Sequence, residues 1–137
     1  MIKRFSALLL GALLIAPAAR AGCLLPGQTP MLLVTLYFGE TIPGTAPVTP
    51  QQWADFTAHT ITPAFPDGFT VTDGAGQWRN PQTGVTDQDP TKILTVALTP
   101  SQTLPSKVAH VMQAYETQFH QQAVGVTSAE VCASFNQ

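Results

Sequence analysis

Charge is scarce in this chain: 6 Lys+Arg and 8 Asp+Glu make up 10% of its 137 residues, against about 25% in an average globular protein. So few cations leave no basic stripe for a phosphate backbone, which excludes a nucleic-acid footprint. Long apolar runs are missing as well. The stretch from Ala7 to Ala16 is about 10 residues, half of the roughly 20 that a transmembrane helix needs. There is no Gly-x-Ser-x-Gly, no His-Glu-x-x-His and no glycine loop opening a helix, so nucleophilic, zinc-hydrolase and phosphate-cradling signatures are all absent. No cofactor is expected. What is present is a hydrophobic share of 45%, too high for a disordered chain, in a length that allows one domain and little more.

Residues 1–21 have the layout of a secretory signal. Lys3 and Arg4 supply the positive start, Ala7 to Ala16 the apolar centre, and Ala19-Arg20-Ala21 the small-x-small cleavage pattern. The expectation is an exported protein, periplasmic or secreted, with no integral membrane segment after cleavage behind Ala21. An uncleaved anchor is disfavoured by the short apolar centre. Cys23 offers a second alternative, lipid attachment next to the signal. Bacterial lipoprotein signals place a Leu-like residue three positions before that Cys, where this chain has Arg20, so cleavage after Ala21 ranks above lipidation. Removal of the signal leaves Arg79, Lys92 and Lys107 as the cations against all the acids. Such a surface repels nucleic acid and anionic lipid.

Cys23 and Cys132 are the 2 cysteines. In an oxidising compartment an even pair reads as a disulfide, here closing nearly the whole mature chain. The alternative is two unrelated thiols, one lipidated or in a disordered tail.

Residues 22–30, with Gly22, Pro26, Gly27 and Pro30, read as a flexible tether, and residues 31–137 as a single α+β domain. The run MLLVTLYF over 31–38 is apolar on both faces, as a central strand is. Thr49 then caps a helix, with Pro50 at its first position and Gln52 completing a capping box. Trp53, Phe56, Thr60 and Ile61 form its apolar stripe, and Pro63 and Pro66-Asp67-Gly68 end it. Alternation over 69–72 resumes at 77–79, and Asp73-Gly74-Ala75-Gly76 between them predicts a bulge or bend. After a turn at 80–84, residues 85–91 read as an irregular extension and 92–99 as a second strongly apolar strand. A helix follows over 104–121, with Val108, Val111, Met112, Tyr115 and Phe119 on one stripe. A short strand at 123–127 and an extended tail at 131–135 complete the chain. The order β-α-β-β-α-β is the ferredoxin-like split βαβ motif, an antiparallel sheet with two helices on one face. Its first and third strands are central, and here they are the two most apolar runs. The other face is left open or paired with a partner.

Several segments are familiar: Leu36-Tyr37-Phe38-Gly39, the decapeptide TPAFPDGFTV from Thr62 to Val71, and Gly76-Gln77-Trp78-Arg79. With the Lys92 strand and Cys132-Ala-Ser-Phe135 they resemble a bacterial exported family, domain of unknown function 3574, over about Leu36 to Phe135. The resemblance implies export and a single domain, and brings no activity with it.

Chemistry has few places to sit. His59, His110 and His120 read as surface residues. The latter two stand about 80° and some 15 Å apart on one helix, so no metal site is expected. Asp87-Gln88-Asp89 opens like a calcium loop but lacks the following glycine and closing Glu, and reads as a turn. Gly74-Ala75-Gly76 precedes a strand and reads as a bend. The remaining constellation is Tyr37, Gln77, Trp78, Arg79 and Lys92. Tyr37 shares a strand face with Leu33 and Thr35, the face away from the helices. Gln77 and Arg79 share one side of their own strand and Trp78 takes the other. Tyr37, Gln77, Arg79 and Lys92 are therefore the candidate ligand-binding residues, suited to a carboxylate or sugar-like ligand gripped by the guanidinium. The competing reading makes Trp78 core, pairs Arg79 with Asp73 or Asp89, and puts Tyr37 in a dimer interface. Three functions follow: a binding module of the cell envelope for a small molecule or an envelope protein, a small enzyme with a dimeric α+β barrel-type cavity, or a structural homodimer joined through the open sheet face.

Overall fold

A computed structural model describes residues 22–42 and 44–135. The secretory signal expected over residues 1–21 lies outside the described residues, as do the last two residues of the expected domain. The elements run β1 (Thr29–Gly39), α1 (Pro50–Phe56), a π-helical segment (Thr57–Ile61), α2 (Thr62–Ala64), β2 (Thr70–Arg79), β3 (Thr86–Leu98), α3 (Leu104–Phe119) and β4 (Gly125–Ala133). The four strands form one antiparallel sheet in the order β2-β3-β1-β4. This is the ferredoxin-like α+β arrangement, with the two apolar runs at its centre.

One face of the sheet carries the core. Val34, Leu36 and Phe38 of β1 and Leu94 and Val96 of β3 pack against Phe56, Ile61, Val111, Tyr115 and Phe119 from the helices. Phe38 is the hub: its ring centroid lies 5.4 Å from that of Trp53, 6.2 Å from Phe56 and 4.8 Å from Tyr115, in tilted and edge-on geometries that aromatic quadrupoles favour. Thr49 caps α1 as its spacing requires. Thr49 Oγ1 accepts from the Gln52 N–H at 3.2 Å, and Gln52 Oε1 accepts from the Thr49 N–H at 2.9 Å. The π-helical segment was not foreseen, and it has a reason. Phe56 and Ile61 are both buried, yet five residues apart they stand about 140° from each other at 3.6 residues per turn. The wider i→i+5 turn brings Ile61 back under the sheet.

Three local expectations are corrected. Residues 73–76 form no bulge: β2 keeps an unbroken register with β3 from Thr70↔Thr95 to Arg79↔Thr86. Residues 86–91 belong to β3, Pro90 included. The Pro90 carbonyl accepts from the Glu40 N–H at 2.8 Å, so its missing N–H faces the same side, beyond the end of β1 where no strand needs it. β2 and β3 thus overhang β1 as a two-stranded ribbon ending in the 80–85 turn. Finally, β4 absorbs the expected tail, because β1 offers partners all the way from Tyr37↔Gly125 to Thr29↔Ala133. β1 itself begins at Thr29, inside the segment read as a tether, and Cys23 is disulfide-bonded to Cys132 with their Cα atoms 5.6 Å apart. The sulfur that a lipid would need is taken up in that bond.

Candidate functional site

The face of the sheet away from the helices holds the site. Cross-strand partners share a face, so the register Gly125↔Tyr37↔Ile93↔Thr72 and Gly39↔Thr91↔Gly74, continued by Asp89↔Gly76 and Asp87↔Trp78, fixes its membership. A concavity of about 610 Å³ opens there, where the overhanging ribbon rises past the end of β1, and the loop after α3 closes its other side with Gln121 and Gln122. Two rings stand in its wall, Tyr37 at 38% and Trp78 at 51% exposure. Two carboxylates, Asp87 and Asp89, and the amides of Asn80 and Gln121 add polar groups. Among the described residues, no Lys, Arg or His lines it.

Glycine makes the floor. A Cβ on Gly76 would come within 2.6 Å of Thr91 Oγ1 and 2.9 Å of the Asp89 carbonyl oxygen, and a Cβ on Gly39 would collide with Asp89 Oδ2. The absent side chain at Gly39 is what lets the Asp89 carboxylate lie across the end of β1. Asp89 is held there: Oδ1 accepts from the Thr41 N–H at 2.8 Å, while the Thr41 carbonyl accepts from Gln121 Nε2 at 2.8 Å. Below the sheet, the Tyr115 hydroxyl donates to the Gly39 carbonyl at 2.9 Å. Burial, then the nearby Glu40 and Asp89 carboxylates, push the Tyr115 phenol well above its ordinary range, so it stays a neutral donor that fixes the backbone under the site.

The structure divides the residues singled out from the sequence. Tyr37 is on the open face, as its alternation with Leu33 and Thr35 requires. Trp78 joins it. Arg79, Gln77 and Lys92 fall on the opposite face by register, although Gln77 still contributes to the wall of the concavity. Arg79 Nε donates to the Gly84 carbonyl at 3.2 Å and braces the ribbon's turn. Lys92 pairs with Asp73 and lies 3.8 Å from Glu40. The hydrogen bond it donates to Asp73, helped by the Glu40 charge, raises its pKa over the lowering effect of burial. The arrangement of Tyr37 hydroxyl, Gln77 amide and Arg79 guanidinium on one surface is therefore corrected, and it is Lys92 rather than Arg79 that takes Asp73. Sequence reasoning missed Asp87, Asp89, Asn80 and Gln121. Trp78, Gly76 and Gly74 alternate onto one face only because β2 is unbroken, a continuity that the two glycines hide along the chain. The histidines stay apart from this site. His59 and His110 line a shallow groove between the helices with Lys107, and His120 ends α3 in a left-handed conformation at φ 52°.

Two solved structures share the fold. A phage SAM lyase in complex with S-methyl-5'-thioadenosine superposes with a TM-score of 0.62 at 13% identity, covering 76% of this chain and 85% of that one. A phage SAM lyase in the apo state gives a TM-score of 0.57 at 13% identity, covering 77% of this chain and 86% of that one. At this identity the likeness concerns the fold. No curated protein matches the chain. The family description "Protein of unknown function (DUF3574)" matches residues 34–135, and the chain belongs to that family.

Proposed function

We propose that this is an exported small-molecule-binding protein of the bacterial cell envelope, and that its ligand presents a flat ring to the open face of the sheet. The observation that carries the reading is the concavity of about 610 Å³ between Tyr37 and Trp78, a size and a mixture of aromatic and sparse polar lining typical of small-ligand sites. An exposed tryptophan on an overhanging ribbon, above a floor kept flat by glycine, is a stacking platform. The fold neighbour's bound S-methyl-5'-thioadenosine, a flat purine nucleoside, is the size of ligand such a platform takes. Export rests on the signal-like residues 1–21, and the disulfide between Cys23 and Cys132 agrees with an oxidising compartment. Tyr37 and Trp78 bind the ligand in this reading, Gln77 serves the wall, and Arg79 and Lys92 have structural duties on the other face.

Titration with S-methyl-5'-thioadenosine, followed by tryptophan fluorescence, tests this. Trp53 and Trp78 are the 2 tryptophans, and Trp53 sits against the core, so a ligand-dependent change that vanishes in Trp78→Phe reports the site. Unaltered emission and an unaltered melting temperature across this nucleoside and adenosine refute it. The open face also favours a second copy as its cover, since Leu33, Thr35 and Ile93 there are only half-buried. In that arrangement the partner would enclose the concavity, and a native mass of one chain at high concentration refutes it.

A further inference from the structure

We infer that the ligand of this site is an organic cation, an aromatic or ring-bearing amine or sulfonium, and that Asp87 and Asp89 are its charge partners. The inference rests on the binding site proposed above and deepens it. The sequence pointed to a carboxylate or sugar-like ligand held by Arg79, and the tertiary structure leaves the site without that cation. Register turns Arg79 and Lys92 to the far face, where Lys92 is already paired with Asp73 and Glu40 and Arg79 with the ribbon's own turn. Two carboxylates then face the concavity with no cation among its described lining residues.

Placement matters more than number. Asp87 stands directly across from Trp78, so its carboxylate is a neighbour of the indole, with β-carbons about 5 Å apart in such pairs. A cation over that ring meets the negative π face and a formal charge together. Asp89 stands across from Gly76, where Thr91 Oγ1 already fills the space of the missing Cβ, and its carboxylate is turned over Gly39 instead. The carboxylate is also set in position. One oxygen is committed to the Thr41 N–H at 2.8 Å, and Gly39 is bare of the Cβ that would displace the other. An anionic ligand in the same volume would face two like charges without a compensating donor side chain of positive charge.

The test compares probes that differ in charge and little else, on the disulfide-bonded protein. The adenosine series is 5'-amino-5'-deoxyadenosine, 5'-deoxyadenosine and adenosine 5'-monophosphate. The ring series without adenosine is benzyltrimethylammonium and benzoate. Binding is read by Trp78 fluorescence and calorimetry. Within each series the cation is expected to bind at least tenfold more tightly than the neutral or anionic member. Asp87→Asn, on an exposed ribbon residue, and Asp89→Asn are each expected to reduce that preference severalfold, read as the ratio of the cation's affinity to that of 5'-deoxyadenosine in the same variant. Equal affinity for charged and neutral probes, or a preference that survives both substitutions, overturns the inference. If benzyltrimethylammonium binds while the adenosine series does not, the adenosine-like ligand falls and the charge selectivity stands. If the neutral nucleoside binds best, the binding site stands and the charge selectivity falls. If no probe binds, both are wrong.

Discussion

Breaking the Cys23–Cys132 bond is the perturbation with the largest calculable effect. The two residues are 109 apart in sequence, so the bridge closes a loop that contains β1 through most of β4. In the chain-entropy description, a loop of that length removes about 16 cal/mol/K from the unfolded chain, or about 4.8 kcal/mol at 25 °C. The native side contributes little to the difference. Leu24 and Leu25 are 88% and 57% exposed, and Gln28 reaches the Cys132 carbonyl across 3.4 Å, so the tethered segment itself buries almost no apolar surface. The effect therefore acts through the unfolded ensemble and is a large share of the roughly 5–15 kcal/mol that stabilises a typical domain. Urea unfolding with and without a reductant, followed by the emission of Trp53 in the core, measures it. With an m-value of about 1.5 kcal/mol/M, the reduced protein is expected to unfold about 3 M earlier. The Cys23→Ser/Cys132→Ser double variant should match the reduced protein and be indifferent to reductant. Midpoints within about 0.5 M of one another would refute the loop-closure reasoning and show that β1–β4 pairing already confines the unfolded termini.

Three further outcomes are expected. Thr49→Ala removes the arm in which the threonine hydroxyl accepts from the Gln52 N–H and leaves the Thr49 N–H bonded to Gln52 Oε1; it should cost about 1 kcal/mol in the same urea experiment, and its effect should couple to that of Gln52→Ala because the two side chains also hydrogen-bond each other at 3.0 Å. Gly76→Ala places a Cβ within 2.6 Å of Thr91 Oγ1, and should destabilise by about 1–3 kcal/mol while weakening any ligand seated above that floor, read by melting and by Trp78 fluorescence. Alkaline pH should unfold the protein selectively. Lys92 and Tyr115 both hold their protons more tightly when folded than at their ordinary values of 10.5 and 10.0, so their contribution is complete below about pH 10 and drains away as pH rises through the raised values. Tyr115→Phe should remove part of that loss, and a melting temperature flat between pH 9 and 12 in the parent protein would contradict it.

The elements were readable where local physics decides them. Thr49, Pro50 and Gln52 announce a helix start because capping involves residues three apart. The apolar stripe of α3 names its buried face, with Val111, Tyr115 and Phe119 all in the core. The π-helical segment was not readable, since the demand to bury both Phe56 and Ile61 comes from the sheet they pack on. Nor was the continuity of β2. Gly74 and Gly76 look like breaks along the chain, and they prove to be the places where Thr91, Ile93 and Asp89 of β3 crowd the backbone.

Periodicity and local caps were enough for the strand and helix order, the choice of β1 and β3 as the central pair and the open face that Tyr37 occupies, while the count of two cysteines favoured a bridge that the fold then closes. The pairing of the strands in three dimensions settled which residues of β2 and β3 share a face with Tyr37. Alternation within a strand relates a residue to its own neighbours, but the offset between two strands is set by the pairing itself, and a shift of one residue carries every side chain to the other face. The β1–β3 offset put Asp87 and Asp89 on the face of Tyr37 and Lys92 on the other, and the β2–β3 offset brought Trp78 in and took Arg79 out. With them the site passed from one gripping its ligand with a guanidinium to one lined by carboxylates.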